Sequence, residues 1–330
     1  MKVVTSVYSD PAWTLPPAEV DRLRGGFPHL TVTNAPSRDD RLRELPDADV
    51  AFLSHLKPDE LAVASRLRWI QSPAAGVASL LFPALRESPV ALTNARGIHG
   101  DAVAEHVIAV TIVLFRQIHL AVRRQVAHEW VKDSQARFRM LRGRTMGVVG
   151  LGSIGAAVAE RAAAMGADVI AVRRTLSAPR PSSVSAVFPP GELDLVLGRA
   201  DVVVLTAPLT GETRGLIGAA QIRRMKPDAV LVNVARGKLV REDELAEELA
   251  RGTIAGAALD VFEHEPLAAS SPLWDLPNVV ITPHTSAFRD DYWSLAVDLF
   301  AANLRRFERG EPLANLVDKA AGYWVEFAFL

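Results

Sequence analysis

The stretch Thr145-Met146-Gly147-Val148-Val149-Gly150-Leu151-Gly152-Ser153-Ile154-Gly155 decides how this chain is read. Thr145–Val149 has the short apolar run of a buried strand, and the small residues that follow, Ala156–Met165, predict a helix. Between them lies a GxGxxG turn, weak evidence alone but informative in a strand–turn–helix setting. Gly150 permits the tight turn, Gly152 lets the backbone approach a pyrophosphate, and Gly155 allows helix and strand to pack closely. The helix start, with Ser153 and Ile154, offers free amides and the positive end of a dipole. The expectation is a dinucleotide site.

Working outward, strands are predicted at Val169–Val172, Val202–Thr206, Val230–Val234, Ala255–Leu259 and Val279–Thr282. Helical segments fall between them at Leu193–Gly198, Ala219–Arg224 and Glu242–Arg251, and Ala178–Gly191 reads as a surface connection. Upstream, Val3-Val4, Val50–Leu53 and Trp69–Gln71 read as strands, with helices at Pro17–Arg24 and Pro58–Ser65. Asp101 is expected to cap one long helix reaching about Arg124, and Trp293–Arg309 forms a last amphipathic helix. This alternation predicts an α/β protein with two Rossmann/flavodoxin-like domains built on parallel sheets. Residues 99–285 form a dinucleotide-binding domain inserted into a discontinuous one, 1–98 plus 286–330, that binds substrate.

A length of 330 residues agrees with two domains rather than one core. The net charge of −1 gives no support for nucleic acid or an anionic membrane as partner. There is no cysteine, which excludes disulfides, thiolate catalysis and cysteine-based metal sites and fits a reducing cytoplasm. No metal is expected. The apolar stretch Val103–Val122 contains Glu105, His106, Arg116, Gln117 and His119, which favours a buried soluble helix over a membrane span. Met1–Thr5 reads as a strand, not an export signal.

After the second strand of the dinucleotide unit the chain reads Val172-Arg173-Arg174-Thr175. NAD-binding folds usually place a carboxylate there, to bond the ribose hydroxyls. Two guanidiniums and a hydroxyl suit a 2′-phosphate instead, so NADP(H) is favoured, with NAD(H) the alternative.

Three further strand ends carry chemistry: Arg236 in Asn233–Gly237, Glu265 in Leu259–Pro266, and His284 in Thr282–Thr285. Reducing a 2-keto acid requires a cation for the carboxylate, a proton donor for the developing alkoxide, and a device that keeps the donor protonated. Arg236 suits the first by its planar fork. His284 suits the second because an ordinary imidazole titrates near working pH, and Glu265 suits the third. Each is unremarkable singly; their order, downstream of a nucleotide turn, points to catalysis.

These stretches resemble the D-isomer-specific 2-hydroxyacid dehydrogenase family. Gly150–Gly155, Thr206–Thr210, Met225–Pro227, Asn233–Leu239, Leu259–Pro266 and Thr282–His284 carry the likeness, and Gln71–Val77 and Asn94–His106 extend it to nearly the whole chain. The spacing from Asp260 through Ser271–Trp274 to His284, with the ending Asn315–Asp318, is similar to the glyoxylate/hydroxypyruvate reductase branch. The resemblance implies the Arg–Glu–His roles for Arg236, Glu265 and His284, and a place for Asp260 beside the nicotinamide carboxamide. It also implies that Pro208 and Thr213 flank the cofactor and that backbone amides around Ala75 and Gly76 receive the substrate carboxylate. Glu263 and His264 lie beside Glu265, but the family pattern puts its carboxylate immediately before proline. A homodimer is expected, with Val103–Val122 at its interface. A dinucleotide-sensing corepressor, or formate or phosphite oxidation on the same scaffold, are the alternatives.

Overall fold

The computed structural model describes residues 1–7, 13–77, 79–132, 134, 138–320 and 323–324, the last two by backbone alone. The chain divides into two compact units, Met1–Ile98 with Arg289–Leu330, and His99–Phe288. Each is built on a parallel sheet, giving two Rossmann/flavodoxin-like folds.

In unit 1 the strands are β1 (Lys2–Ser6), β2 (Thr31–Asn34), β3 (Val50–Leu53), β4 (Trp69–Gln71) and β5 (Ala91–Thr93), in the order β2-β1-β3-β4-β5. The final long helix, Tyr292–Glu308, returns to cover one face: Phe300 stacks on Phe52 at 4.8 Å and packs against Trp69 at 5.3 Å. A buried polar group is fully paired beneath it. Trp69 donates to Thr93, Thr93 to Gln71, and Asn303 to both Gln71 and the Ala314 carbonyl.

Unit 2 contains β6 (Thr145–Val149), β7 (Asp168–Val172), β8 (Ala186–Phe188), β9 (Val202–Leu205), β10 (Val230–Asn233), β11 (Gly256–Leu259) and β12 (Val279–Ile281). Their order is β12-β11-β10-β9-β6-β7-β8. Separate apolar clusters cover its two faces, which is why Val202-Val203-Val204-Leu205 is buried without alternation. The strand order reverses around β6, so the glycine turn leaves the sheet at a topological switch point.

Four expectations need correction. The single helix from Asp101 to Arg124 is two helices, Gly100–Phe115 and Ile118–Val126, bent by 70° where Gln117 adopts a left-handed backbone with φ 55°. Asp101 makes no cap; it lies in the first turn and pairs with Arg161 at 2.7 Å. The connection Ala178–Gly191 contains β8, which adds an edge strand to the sheet. The helix after the glycine turn begins at Ser153, three residues earlier than its alanine run suggests. Among the described residues no single helix is long and apolar enough to cross a membrane.

Candidate active site

Gly150 has φ 103°, and a Cβ there would stand 2.5 Å from the Ala207 nitrogen, so both the turn and the adjacent β9 loop require glycine. Thr206 ties the two together by donating to the Gly150 carbonyl at 2.5 Å. Gly155 packs against that same carbonyl, whereas the space beside Gly152 is open. The helix Ser153–Ala164 starts there without a side-chain cap. Its first amides, from Ser153, Ile154 and Gly155, have no carbonyl four residues back to receive them. Open space facing uncapped amides fits a pyrophosphate, so the turn suits a dinucleotide on geometry as well as on pattern.

Beyond β7, Arg173 is half-buried and its guanidinium donates to the carbonyls of Ala178 and Pro179, the latter at 3.0 Å. Arg174 and Thr175 are exposed. The two arginines are therefore not equivalent: Arg173 braces the loop beyond the strand, whereas Arg174 is exposed. Below β9, Thr213 donates to the Pro208 carbonyl at 2.7 Å and closes the Pro208–Thr213 loop. Its hydroxyl proton is thus engaged within the loop.

Arg236, Glu265 and His284 lie in the loops beyond β10, β11 and β12; Glu265 stands 2.7 Å from His284 and its charge reaches Arg236. Gly237 lets two of these loops approach, since a Cβ there would fall 1.8 Å from the Phe262 carbonyl carbon. The loops after β10 and β11 thus touch backbone to backbone. Arg236 donates to the Ala235 carbonyl at 2.5 Å. Desolvation pulls its pKa below the ordinary guanidinium value and the Glu265 charge partly offsets this; a guanidinium remains charged regardless. One Glu265 oxygen accepts from the Phe262 amide at 3.0 Å, and the other lies 2.7 Å from His284 Nδ1. That contact places the hydrogen on Nδ1 of a neutral ring, or on both nitrogens of an imidazolium. The pair is partly exposed, 49% and 37%, so its worth is in orientation more than in stability. Glu263 is engaged elsewhere: it and Glu242 each accept the other's backbone amide.

His284 has φ 55°, a left-handed conformation that a non-glycine residue holds only when its surroundings impose it. The buried Asp260 does so. Its carboxylate accepts from the Thr282 hydroxyl at 2.6 Å, the Thr285 amide at 2.9 Å and the Ser286 amide at 3.0 Å, while its carbonyl accepts from the His284 amide. His106 Nε2 lies 3.3 Å from the Thr282 oxygen. Since that hydroxyl donates to Asp260, the imidazole is its donor. Burial lowers the His106 pKa, with the Asp260 charge acting in the opposite sense.

The profile of the D-isomer specific 2-hydroxyacid dehydrogenase NAD binding domain matches residues 108–286. Glyoxylate/hydroxypyruvate reductase B of Pectobacterium carotovorum is 36% identical over 300 residues, 88% of this chain and 92% of that one. This chain belongs to the D-isomer-specific 2-hydroxyacid dehydrogenase family. Two solved members resemble this dehydrogenase over 98% of its length and 99% of theirs, each with a TM-score of 0.83. One is an NADPH-dependent glyoxylate/hydroxypyruvate reductase from Sinorhizobium meliloti in complex with NADP and sulfate, 32% identical. The other is a D-isomer specific 2-hydroxyacid dehydrogenase from Xanthobacter autotrophicus in complex with NADPH and MES, 30% identical.

In unit 1 of the dehydrogenase, Ala75 and Gly76 lie in the turn after β4, half-buried and exposed respectively. Neither amide meets an acceptor among the described residues. The turn is fixed from three sides. Ser72 Oγ accepts the Ala74 amide, Asn94 donates to the Ala75 carbonyl, and Tyr292 donates to the Pro73 carbonyl at 2.5 Å. Burial raises the Tyr292 pKa far above the usual phenol value, so the hydroxyl stays a donor.

Sequence reading overlooked His106 and Thr282 as supports of the Asp260 turn in unit 2, and Tyr292 as the support of the Pro73–Gly76 turn in unit 1. A threonine two residues before the histidine was the available signal for Thr282. The other two arrive from distant helices and had none.

Proposed function

We propose that this dehydrogenase reduces a small 2-oxo acid, of the glyoxylate or hydroxypyruvate kind, to the D-2-hydroxy acid, with NADPH preferred. The observation that carries the reading is the Glu265–His284 contact of 2.7 Å, formed where the loops bearing Arg236 and Glu265 touch. A protein that only sensed the dinucleotide would have no use for an oriented proton donor.

In this reading Gly150, Gly152 and Gly155, with the amides of Ser153 and Ile154, hold the pyrophosphate, and Pro208 and Thr213 border the cofactor. Arg174 and Thr175 meet the 2′-phosphate, and Arg173 supports them by fixing the loop at Ala178 and Pro179. The bound reduced nicotinamide supplies the hydride. Arg236 binds the oxo acid's carboxylate while polarising the neighbouring carbonyl; in unit 1 the amides of Ala75 and Gly76 offer donors that suit a carboxylate. His284 donates its Nε2 proton to that carbonyl oxygen as negative charge develops there. Glu265 keeps the imidazole turned and its charged form favoured. Asp260 acts on the reaction through the turn that presents His284. NADP in the Sinorhizobium relative and NADPH in the Xanthobacter one support the same cofactor here.

The exposed stripe Ile118, Val122 and Val126, together with the exposed Trp130, supports a two-fold dimer. The reducing cytoplasm suits a chain without cysteine. Following NADPH absorbance with glyoxylate, hydroxypyruvate and pyruvate tests the activity. His284→Ala should then lower kcat by about 10²–10⁴-fold with little change in NADPH affinity. A near-parental kcat removes His284 as the acid, and no turnover of any oxo acid removes the reductase reading.

A further inference from the structure

Asp260 holds the turn that presents His284, and its set of partners is completed from another element. The helix Gly100–Phe115 packs its buried Val103, Val107 and Val110 against β10 and β11. His106 stands beside that stripe, half-buried, with Nε2 3.3 Å from the Thr282 oxygen. A hydroxyl has one hydrogen to give, and Thr282 gives it to the Asp260 carboxylate at 2.6 Å. Its lone pair therefore faces Nε2, which must carry a hydrogen. Burial keeps the His106 pKa below the ordinary imidazole value, against the pull of the Asp260 charge. The ring is thus neutral at about pH 7, with its hydrogen on Nε2. The bonds run one way, from imidazole to hydroxyl to carboxylate, and bonds so aligned polarise and strengthen one another. The same carboxylate receives the Thr285 and Ser286 amides, which fold the turn over it.

We propose that His106 is a positioning residue for proton donation. Its Nε2–H fixes the Thr282 hydroxyl toward Asp260, and Asp260 in turn keeps His284 left-handed and facing Glu265. The proposal rests on the reductase reading and extends its machinery to a helix outside the three loops that carry Arg236, Glu265 and His284. Without the imidazole donor the hydroxyl loses the partner that sets its rotation, and the turn samples orientations in which His284 is off its line. The phosphate-binding turn takes no part in this chain, so the loss falls on kcat far more than on NADPH affinity.

The test measures kcat with NADPH and the best oxo acid in the parent, His106→Leu, His106→Gln, Thr282→Val and the paired variant His106→Leu with Thr282→Val. His106→Leu removes the donor and should lower kcat by about threefold to tenfold, the worth of one neutral hydrogen bond. Glutamine keeps an N–H and should recover most of that loss. Thr282→Val already breaks the chain, so the paired variant should be no slower than Thr282→Val alone. NADPH binding, followed separately, verifies that each variant is folded. In the parent, where no variant need fold, spectra of isotopically labelled histidine nitrogens should show a neutral His106 with its hydrogen on Nε2. An unchanged kcat in His106→Leu, a glutamine variant no better than leucine, losses that multiply in the paired variant, or a His106 hydrogen on Nδ1 alone overturns the positioning role and leaves the reductase reading intact. A parent that turns over no oxo acid overturns the reductase reading, and the positioning role with it.

Discussion

Replacing Thr282 by valine removes one hydroxyl at nearly constant volume, and the structure specifies the consequence. The Thr282 hydroxyl donates to the buried Asp260 carboxylate at 2.6 Å and stands 3.3 Å from His106 Nε2. A hydrogen bond to a charged group contributes about 1.5–3 kcal/mol. Asp260 keeps the Thr285 and Ser286 amides, so the carboxylate is weakened but not stranded. The expected loss of stability is therefore about 2 kcal/mol, which for a unit of this size lowers Tm by roughly 4–8 °C. The same loss falls on the turn that keeps His284 left-handed, and if about 1.4 kcal/mol of it reaches the transition state, kcat drops tenfold. Thermal melts and steady-state reduction of the best oxo acid measure both quantities. Thr282→Ser retains the hydroxyl and should recover most of each. A valine variant with the parent's Tm and kcat, or a serine variant no better than valine, would refute the positioning role of Asp260.

Gly237→Ala should displace the Phe262–Glu265 loop, because the new methyl would overlap the Phe262 carbonyl; kcat should fall at least tenfold and Tm by several degrees, and a neutral result would contradict the close approach. Arg174→Ala should raise the NADPH dissociation constant by about tenfold or more while leaving NADH nearly unaffected, whereas Arg173→Ala should lower Tm as well by freeing the Ala178–Pro179 loop. Equal effects of Arg174→Ala on both cofactors would remove its contact with the 2′-phosphate. Glu248 is held down to about 2, first by Arg223 and then by Thr253. Its folded pKa lies below the ordinary 4.5, so its contribution to stability is present above that value and is lost as pH falls toward about 2. Glu248→Gln should flatten that acid limb in urea melts, and an unchanged limb would argue against the Arg223 pairing.

Much of the fold was legible because both sheets are buried on two faces, so their strands stand out as apolar runs between turn residues. The glycine turn was legible for a different reason: only glycine fits at Gly150, so the constraint is written into residue type. What escaped notice was set by tertiary context. The bend at Gln117 interrupts an apolar stretch with no proline or glycine to mark it. The strands β2, β5 and β8 are no shorter than the β4 and β12 that were read, but β2 is Thr-Val-Thr-Asn and β8 follows a run rich in proline and serine, so no apolar run marks either. Arg236, Glu265 and His284 could be named because each follows a predicted strand. The hydrogen bonds of Asp260 could not, since they depend on residues 282–286 folding back over it.

The interrupted course of unit 1 has a bearing on biosynthesis. One side of its sheet, around Phe52 and Trp69, is covered by Phe300, and the whole of unit 2 is translated in between. Nascent chains must therefore carry an uncovered aromatic surface while an intervening fold is completed, an interval in which chaperone capture or self-association competes with native closure.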